Sequence, residues 1–105
     1  MQETTYEELV IVHQRQQPFF LLCMKENCDM SEILYNRVSR MSVMFDLDFY
    51  YIDTDQEPKI KEEFSLEKDM IPAVIFYDGA SYILNDYPET IDEEYLSSIL
   101  FNYIF

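Results

Sequence analysis

Cys28 and Ser31, in the stretch KENCDMSEIL, put a thiol and a hydroxyl about one helical turn apart. A cysteine reacts as its thiolate, and a helix N-terminus lowers the thiol pKa from its free value of about 8.5. An apolar pattern of helical spacing begins just after Cys28, so backbone N–H groups and the helix dipole favour the anion there. The Ser31 hydroxyl, one turn along, supplies a further hydrogen bond to it. The pair therefore reads as nucleophilic thiol chemistry with a hydroxyl where a second thiol would close a disulfide. Glu26, Asp29 and Glu32 oppose ionisation, with Lys25 as the cation nearby. Solvent screens exposed carboxylates, so the expected result is a modestly activated thiol.

Other constellations are weaker. Cys23 lies inside the apolar run PFFLLCM and reads as a small core residue, with a 23–28 disulfide the minor alternative. His13, the single histidine, is placed on a first helix away from Cys28. Asp53 and Asp55 at a strand end read as turn formers. No His/Cys/Asp grouping has metal-ligand spacing, and one glycine cannot build a phosphate loop. Neither a metal nor a cofactor is expected.

The chain has 105 residues, enough for one domain with its own core. Seven Lys and Arg stand against twenty-one Asp and Glu, a net charge of −14. Such a surface repels phosphate backbones and anionic lipid, which disfavours nucleic acid and membrane as partners and favours basic proteins. The start, MQETTYEEL, is acidic and unlike a signal peptide, and no apolar run approaches the length of a bilayer span. A cytoplasmic setting with reduced thiols is the expectation.

The elements that must position Cys28 follow from periodicity. Thr4 or Thr5 caps a first helix, Thr5 with Glu8 forming a capping box. This helix carries Tyr6, Leu9, Val10 and His13 on its apolar side and ends near Gln17, before Pro18. FFLLCM has no alternation, as in a strand buried on both faces. A second helix runs from about Asp29 to Val43, with Met30, Ile33, Leu34, Val38 and Met41 at core spacing and Asp29, Asn27 or Cys28 as its cap. FYYID, Phe49 to Asp53, is the next strand, and a short helical stretch with Ile60, Phe64 and Leu66 follows Pro58. MIPAVIFYDGASYIL reads as a hairpin turning at Asp78-Gly79-Ala80. Thr90, with Glu93, caps a last helix whose stripe is Ile91, Tyr95, Leu96, Ile99, Leu100, Tyr103 and Ile104. Phe101 and Phe105 widen that stripe, either as a broad core or as a homodimer contact.

The order α-β-α-β-(α)-β-β-α, with a cysteine before the second helix and a proline opening the third strand, resembles the thioredoxin-like family. ENCDMSEIL matches its C-x-x-C position, DMIPAVIFYDG its Ile-Pro motif, and YIDTDQEP its strand-end Asp and downstream proline. The resemblance runs from about Thr4 to the C-terminus. It implies an α/β thioredoxin-like fold: one mixed four-stranded sheet with helices on both faces, lacking the family's extra N-terminal strand. It implies Cys28 as nucleophile and Ser31 in the resolving slot, a monothiol C-x-x-S variant. Pro72 would be the cis-proline, and Ile71 would pair with a bound peptide, so that Asn27, Ile71 and Pro72 form the substrate-binding set. The chain departs from the family in having Asn27 where a tryptophan is usual, Asp29-Met30 in place of Gly-Pro, and Leu22 where a buried acid serves the resolving thiol.

Two functions are then in view. One is thiol–disulfide exchange by a single cysteine, with protein thiols or disulfides as substrates and a low-molecular-weight thiol, or a second protein thiol, resolving the adduct. The alternative is a redox-inactive interaction module using the peptide groove and the acidic surface.

Overall fold

The structure is a computed structural model and describes residues 1–104; Phe105 and the side chain of Ile104 lie outside the described residues, and with them two of the expected contributors to the last helix's apolar face. In chain order the elements are β1 (Gln2–Glu3), α1 (Tyr6–Gln14), β2 (Phe19–Met24), α2 (Asp29–Ser42), β3 (Asp48–Asp53), α3 (Lys59–Glu63), β4 (Ala73–Tyr77), β5 (Tyr82–Asn85) and α4 (Glu93–Ile104). They form one sheet in the order β1-β3-β2-β4-β5. β3 runs parallel to both β1 and β2, and the β2–β4 and β4–β5 pairs are antiparallel.

The sheet therefore has five strands, which corrects the expected four. β1 pairs Gln2 with Tyr50 and Glu3 with Tyr51, and the Thr4 N–H continues the ladder to the Tyr51 carbonyl at 3.0 Å. Both β1 residues are polar and exposed, so backbone hydrogen bonds hold the strand and no alternation of side chains announces it.

β2 lies at the centre and is buried on both faces. Phe20 and Leu22 join Leu34, Val38, Leu96 and Leu100 in the core under α2 and α4. Phe19, Leu21 and Cys23 join Leu9, Ile52 and Ile60 under α1 and α3. The period of two thus sends Cys23 and Leu22 to opposite sides of the sheet.

Three helix details differ from expectation. α2 buries Leu34, Val38 and Met41, but Met30 and Ile33 are 37% and 47% exposed. The inward stripe is Ser31, Leu34, Val38 and Met41, so the fourth inward position is a serine and not an apolar residue. α1 ends at Gln14, and Gln16 takes a positive φ of 55°. Thr5 does cap α1, accepting from the Glu8 N–H at 3.2 Å, but the Glu8 carboxylate accepts from the Thr4 hydroxyl at 3.1 Å and does not close the box. α4 starts two residues later than expected. Asp92 accepts from the Tyr95 N–H at 2.9 Å, while the Thr90 hydroxyl donates to the Tyr87 carbonyl at 2.8 Å in a preceding 3₁₀ turn. Asp92 offers the capping oxygen at the position nearer the helix.

The hairpin turns at Asp78-Gly79-Ala80. Asp78 accepts from the N–H groups of Ala80 and Ser81, both at 2.8 Å, and these bonds hold its carboxyl below the usual range. Gly79 has φ +102°, and an added Cβ would stand 3.0 Å from the Gln16 carbonyl oxygen. Gly79→Ala is expected to cost about 1–3 kcal/mol, read as a lower urea midpoint at unchanged slope. A midpoint equal to the parent's would show that the turn relaxes freely.

Candidate functional site

The site is the corner where β2 ends and α2 begins. Thr54, just past β3, pins the end of β2: its N–H and its hydroxyl both donate to the Met24 carbonyl, each at 2.8 Å. The Glu26 N–H donates to the Asp55 carboxylate at 2.8 Å, and the Asp55 N–H to that of Asp53 at 2.9 Å. Asn27 then turns the chain with φ 53°, a conformation asparagine tolerates better than most residues. These bonds deliver Cys28 to the N-cap position of α2, with φ −126° and ψ 111°.

Cys28 is half-buried. Burial is the largest single influence on its thiol and raises the pKa. The Ser31 hydroxyl, the N–H groups of Ser31 and Met30, and the Lys25 ammonium act the other way, and together they bring the thiol below its ordinary value. The thiol closes no full cap bond, but the amides stand where they favour the anion. Glu26, Asp29 and Glu32 are all exposed, where solvent screens them.

Ser31 is 1% exposed. Its oxygen accepts from the Lys25 backbone N–H at 3.3 Å, which fixes the side chain and leaves its own proton for the sulfur. An open depression of about 480 Å³ adjoins the thiol, lined by Met24, Lys25, Asn27, Cys28, Asp29, Ser31 and Glu32. Cys28, Ser31 and Asn27 are thus gathered at one surface.

Ile71 and Pro72 lie at the adjoining corner. Their peptide bond is cis, and both side chains are buried. Ala73 pairs with Cys23, so Pro72 enters the sheet at the end where β2 leaves it. The Lys25 ammonium donates to the Lys68 carbonyl at 3.2 Å, tying the loop before Cys28 to the 3₁₀ turn that leads into Ile71. Neither Ile71 nor Pro72 lines the depression at the thiol. The Ile71 N–H is engaged with the Lys68 carbonyl at 3.3 Å.

Sequence reasoning passed over the structural roles of Lys25 and Thr54. Lys25 was visible as the local cation, but nothing in the sequence marks its backbone N–H as the partner of Ser31, or the Thr54 hydroxyl as the clasp on Met24. His13 is exposed and rests on Tyr77, ring centroids 4.8 Å apart, within α1 and remote in the fold from Cys28. Among the described residues no group of His, Cys, Asp and Glu is arranged to hold a metal, and no helix is long and apolar enough to cross a membrane.

Cys23 is a different kind of cysteine. It is fully buried and free, and burial pushes its thiol from 9.0 up to about 12. In the unfolded chain this thiol ionises near its ordinary value, while the folded chain keeps the proton. Stability therefore falls as pH rises between roughly 9 and 12. Tyr6, Tyr50, Tyr51 and Tyr95, all raised, act in the same sense. Urea titrations near pH 9 and pH 10 should give a shallower loss for Cys23→Ala than for the parent; equal losses would contradict the burial assignment.

A scan of protein-family models finds no match to this chain, and a search of curated proteins finds none. Solved structures do match. The thioredoxin of Fasciola hepatica aligns with 98% of this chain and 99% of its own, at TM-score 0.76 and 13% identity. The thioredoxin of Malassezia sympodialis aligns with 98% of this chain and 90% of its own, at TM-score 0.75 and 14% identity. Chloroplastic thioredoxin z aligns with 81% of this chain and 79% of its own, at TM-score 0.69 and 13% identity. With the mixed sheet, the helices on both its faces and these structural neighbours, the chain has the thioredoxin fold.

Proposed function

We propose that this protein carries out thiol–disulfide exchange with Cys28 as its one active thiol. The observation that carries the reading is the local support of Cys28: the Ser31 hydroxyl and the first N–H groups of α2 lower its pKa despite burial. The Cys28 thiolate attacks one sulfur of a partner disulfide. A new S–S bond forms, the old one breaks, and the departing thiolate takes a proton from solvent. A low-molecular-weight thiolate then attacks the mixed disulfide, bonds to the partner's sulfur or to Cys28, and displaces the other sulfur as a thiolate. Each step exchanges one disulfide for another, so no further oxidant is needed.

Ser31 stabilises the anion and cannot resolve the adduct, because it has no thiol. Cys23 does not replace it, being buried and protonated at neutral pH. A partner peptide would lie across the corner formed by Asn27, Cys28 and the Ile71–Pro72 segment. With the Ile71 N–H already engaged, its carbonyl would accept the peptide's hydrogen bond. Glu26, Asp29 and Glu32 around the thiol favour substrates with basic residues beside the disulfide. A cytoplasmic setting would supply the resolving thiol.

The test is the pH profile of Cys28 alkylation. The parent should react with a midpoint below that of a free cysteine. Ser31→Ala should shift the midpoint upward and slow alkylation near neutral pH by roughly threefold to fivefold, less than the full worth of one hydrogen bond to the anion because a thiolate of higher pKa is also the stronger nucleophile. A parent midpoint at or above the free-cysteine value would sink the reading.

The second reading, a redox-silent docking module, draws support from Met30 and Ile33, exposed on α2 beside the site. It requires that Cys28→Ser bind partners as well as the parent does and that Cys28 stay inert to disulfides.

A further inference from the structure

A second cavity lies on the sheet face opposite α2, enclosed by α1, α3 and the β4–β5 hairpin, with a volume of about 290 Å³. Its floor is buried and apolar, formed by Leu9, Phe19, Ile60 and Tyr77. Phe64 and Tyr82 stand beside it edge to face, ring centroids 5.1 Å apart. His13 lies over Tyr77. Glu63 is exposed and supplies the carboxylate of the lining, while neither lysine nor arginine takes part in it. Tyr6 donates to Glu63 Oε2 at 3.4 Å, which holds that carboxylate at the mouth.

The chemistry of such a site is complementary to one class of ligand. Aromatic side chains receive a ligand ring edge to face or offset-stacked, and their faces also attract a cation held beside them. The Lys59 ammonium lies 5.6 Å from the centre of the Tyr6 ring, so that ring is already engaged and the Phe64, Tyr77 and Tyr82 rings remain for a ligand. A carboxylate at the rim repels anions and can pair with a cationic group. The net charge of −14 raises the local concentration of cations. The volume suits a single ring with a short tail.

We propose that this cavity binds a compact arylalkyl ammonium ion, its ring against Tyr77, Phe64 and Tyr82 and its charge at Glu63. The site stands apart from Cys28 and does not depend on the redox reading. The test is a titration of the isotope-labelled full chain with phenethylammonium at constant ionic strength, followed by amide NMR. Saturable shifts should appear in α1, α3 and the hairpin, with a Kd at or below about 1 mM. The neutral isostere 2-phenylethanol should bind at least about threefold more weakly, and 3-phenylpropionate should not bind. Glu63→Gln should weaken the ammonium by a similar factor while leaving the alcohol unchanged. Val10→Trp, at the partly exposed mouth, should block both, and Cys28→Ser should bind like the parent. The proposal is overturned by the absence of saturation, by equal or tighter binding of the alcohol or the acid, by a Glu63→Gln variant that keeps full ammonium affinity, by binding that survives Val10→Trp, or by binding lost in Cys28→Ser.

Discussion

Cys28→Ser is expected to abolish mixed-disulfide formation, slowing reaction with a small disulfide by at least about a hundredfold. A serine hydroxyl does not attack a disulfide sulfur under these conditions. The thiol that remains, Cys23, is fully buried, and that burial raises its pKa and keeps it protonated at pH 7. The substitution should not harm the fold. Position 28 is the N-cap of α2, and serine is a good N-cap residue, so stability should stay level or rise by about 0.5–1 kcal/mol. Intact-mass kinetics together with a urea midpoint separate the two effects. Substantial residual reaction would mean that Cys23 is reachable after all. A collapsed midpoint would mean that Cys28 serves packing more than chemistry.

The largest stability effect is expected from Phe20→Ala. Phe20 is 1% exposed at the centre of the sheet, with ring centroids 4.9 Å from Phe49 and 4.7 Å from Phe76. Removing the ring deletes buried apolar surface and leaves a space that neighbouring strands cannot collapse into. The cost should be about 3–5 kcal/mol, a large share of the roughly 5–15 kcal/mol that holds a domain of this kind. Phe20→Leu keeps most of the volume and should lose much less. Denaturant unfolding of both variants reads the difference, and a Phe20→Ala cost under about 2 kcal/mol would place Phe20 outside the principal core.

How legible each feature was depended on whether its cause was local. FFLLCM shows no alternation, and a strand without alternation belongs in a buried centre, where β2 lies. Gly79 is the lone glycine, and it occupies the turn with φ +102°. Cys28 lay just before a helical pattern and is the cap of α2. Where the cause was tertiary, the sequence carried less. β1 is held by backbone bonds to β3, and its polar side chains give no sign of that. Met30 and Ile33 fit a helical stripe as well as Leu34 and Val38 do; the sheet selects the set that includes Ser31. That choice also buries Ser31 beside Cys28, which spacing alone did not establish. The α4 cap moved from Thr90 to Asp92 because a 3₁₀ turn at Pro88–Thr90 consumes the Thr90 hydroxyl. The clasp of Thr54 on Met24 joins residues thirty positions apart and has no local signature.

Exposure of the reduced protein to glutathione disulfide, followed by intact mass and peptide mapping, tests the central claim most directly. One adduct should form, on Cys28, and a second thiol should release it and restore the starting mass. An unmodified Cys28 after long incubation, in a protein shown to be folded, would contradict thiol exchange and leave the docking role as the function of this corner.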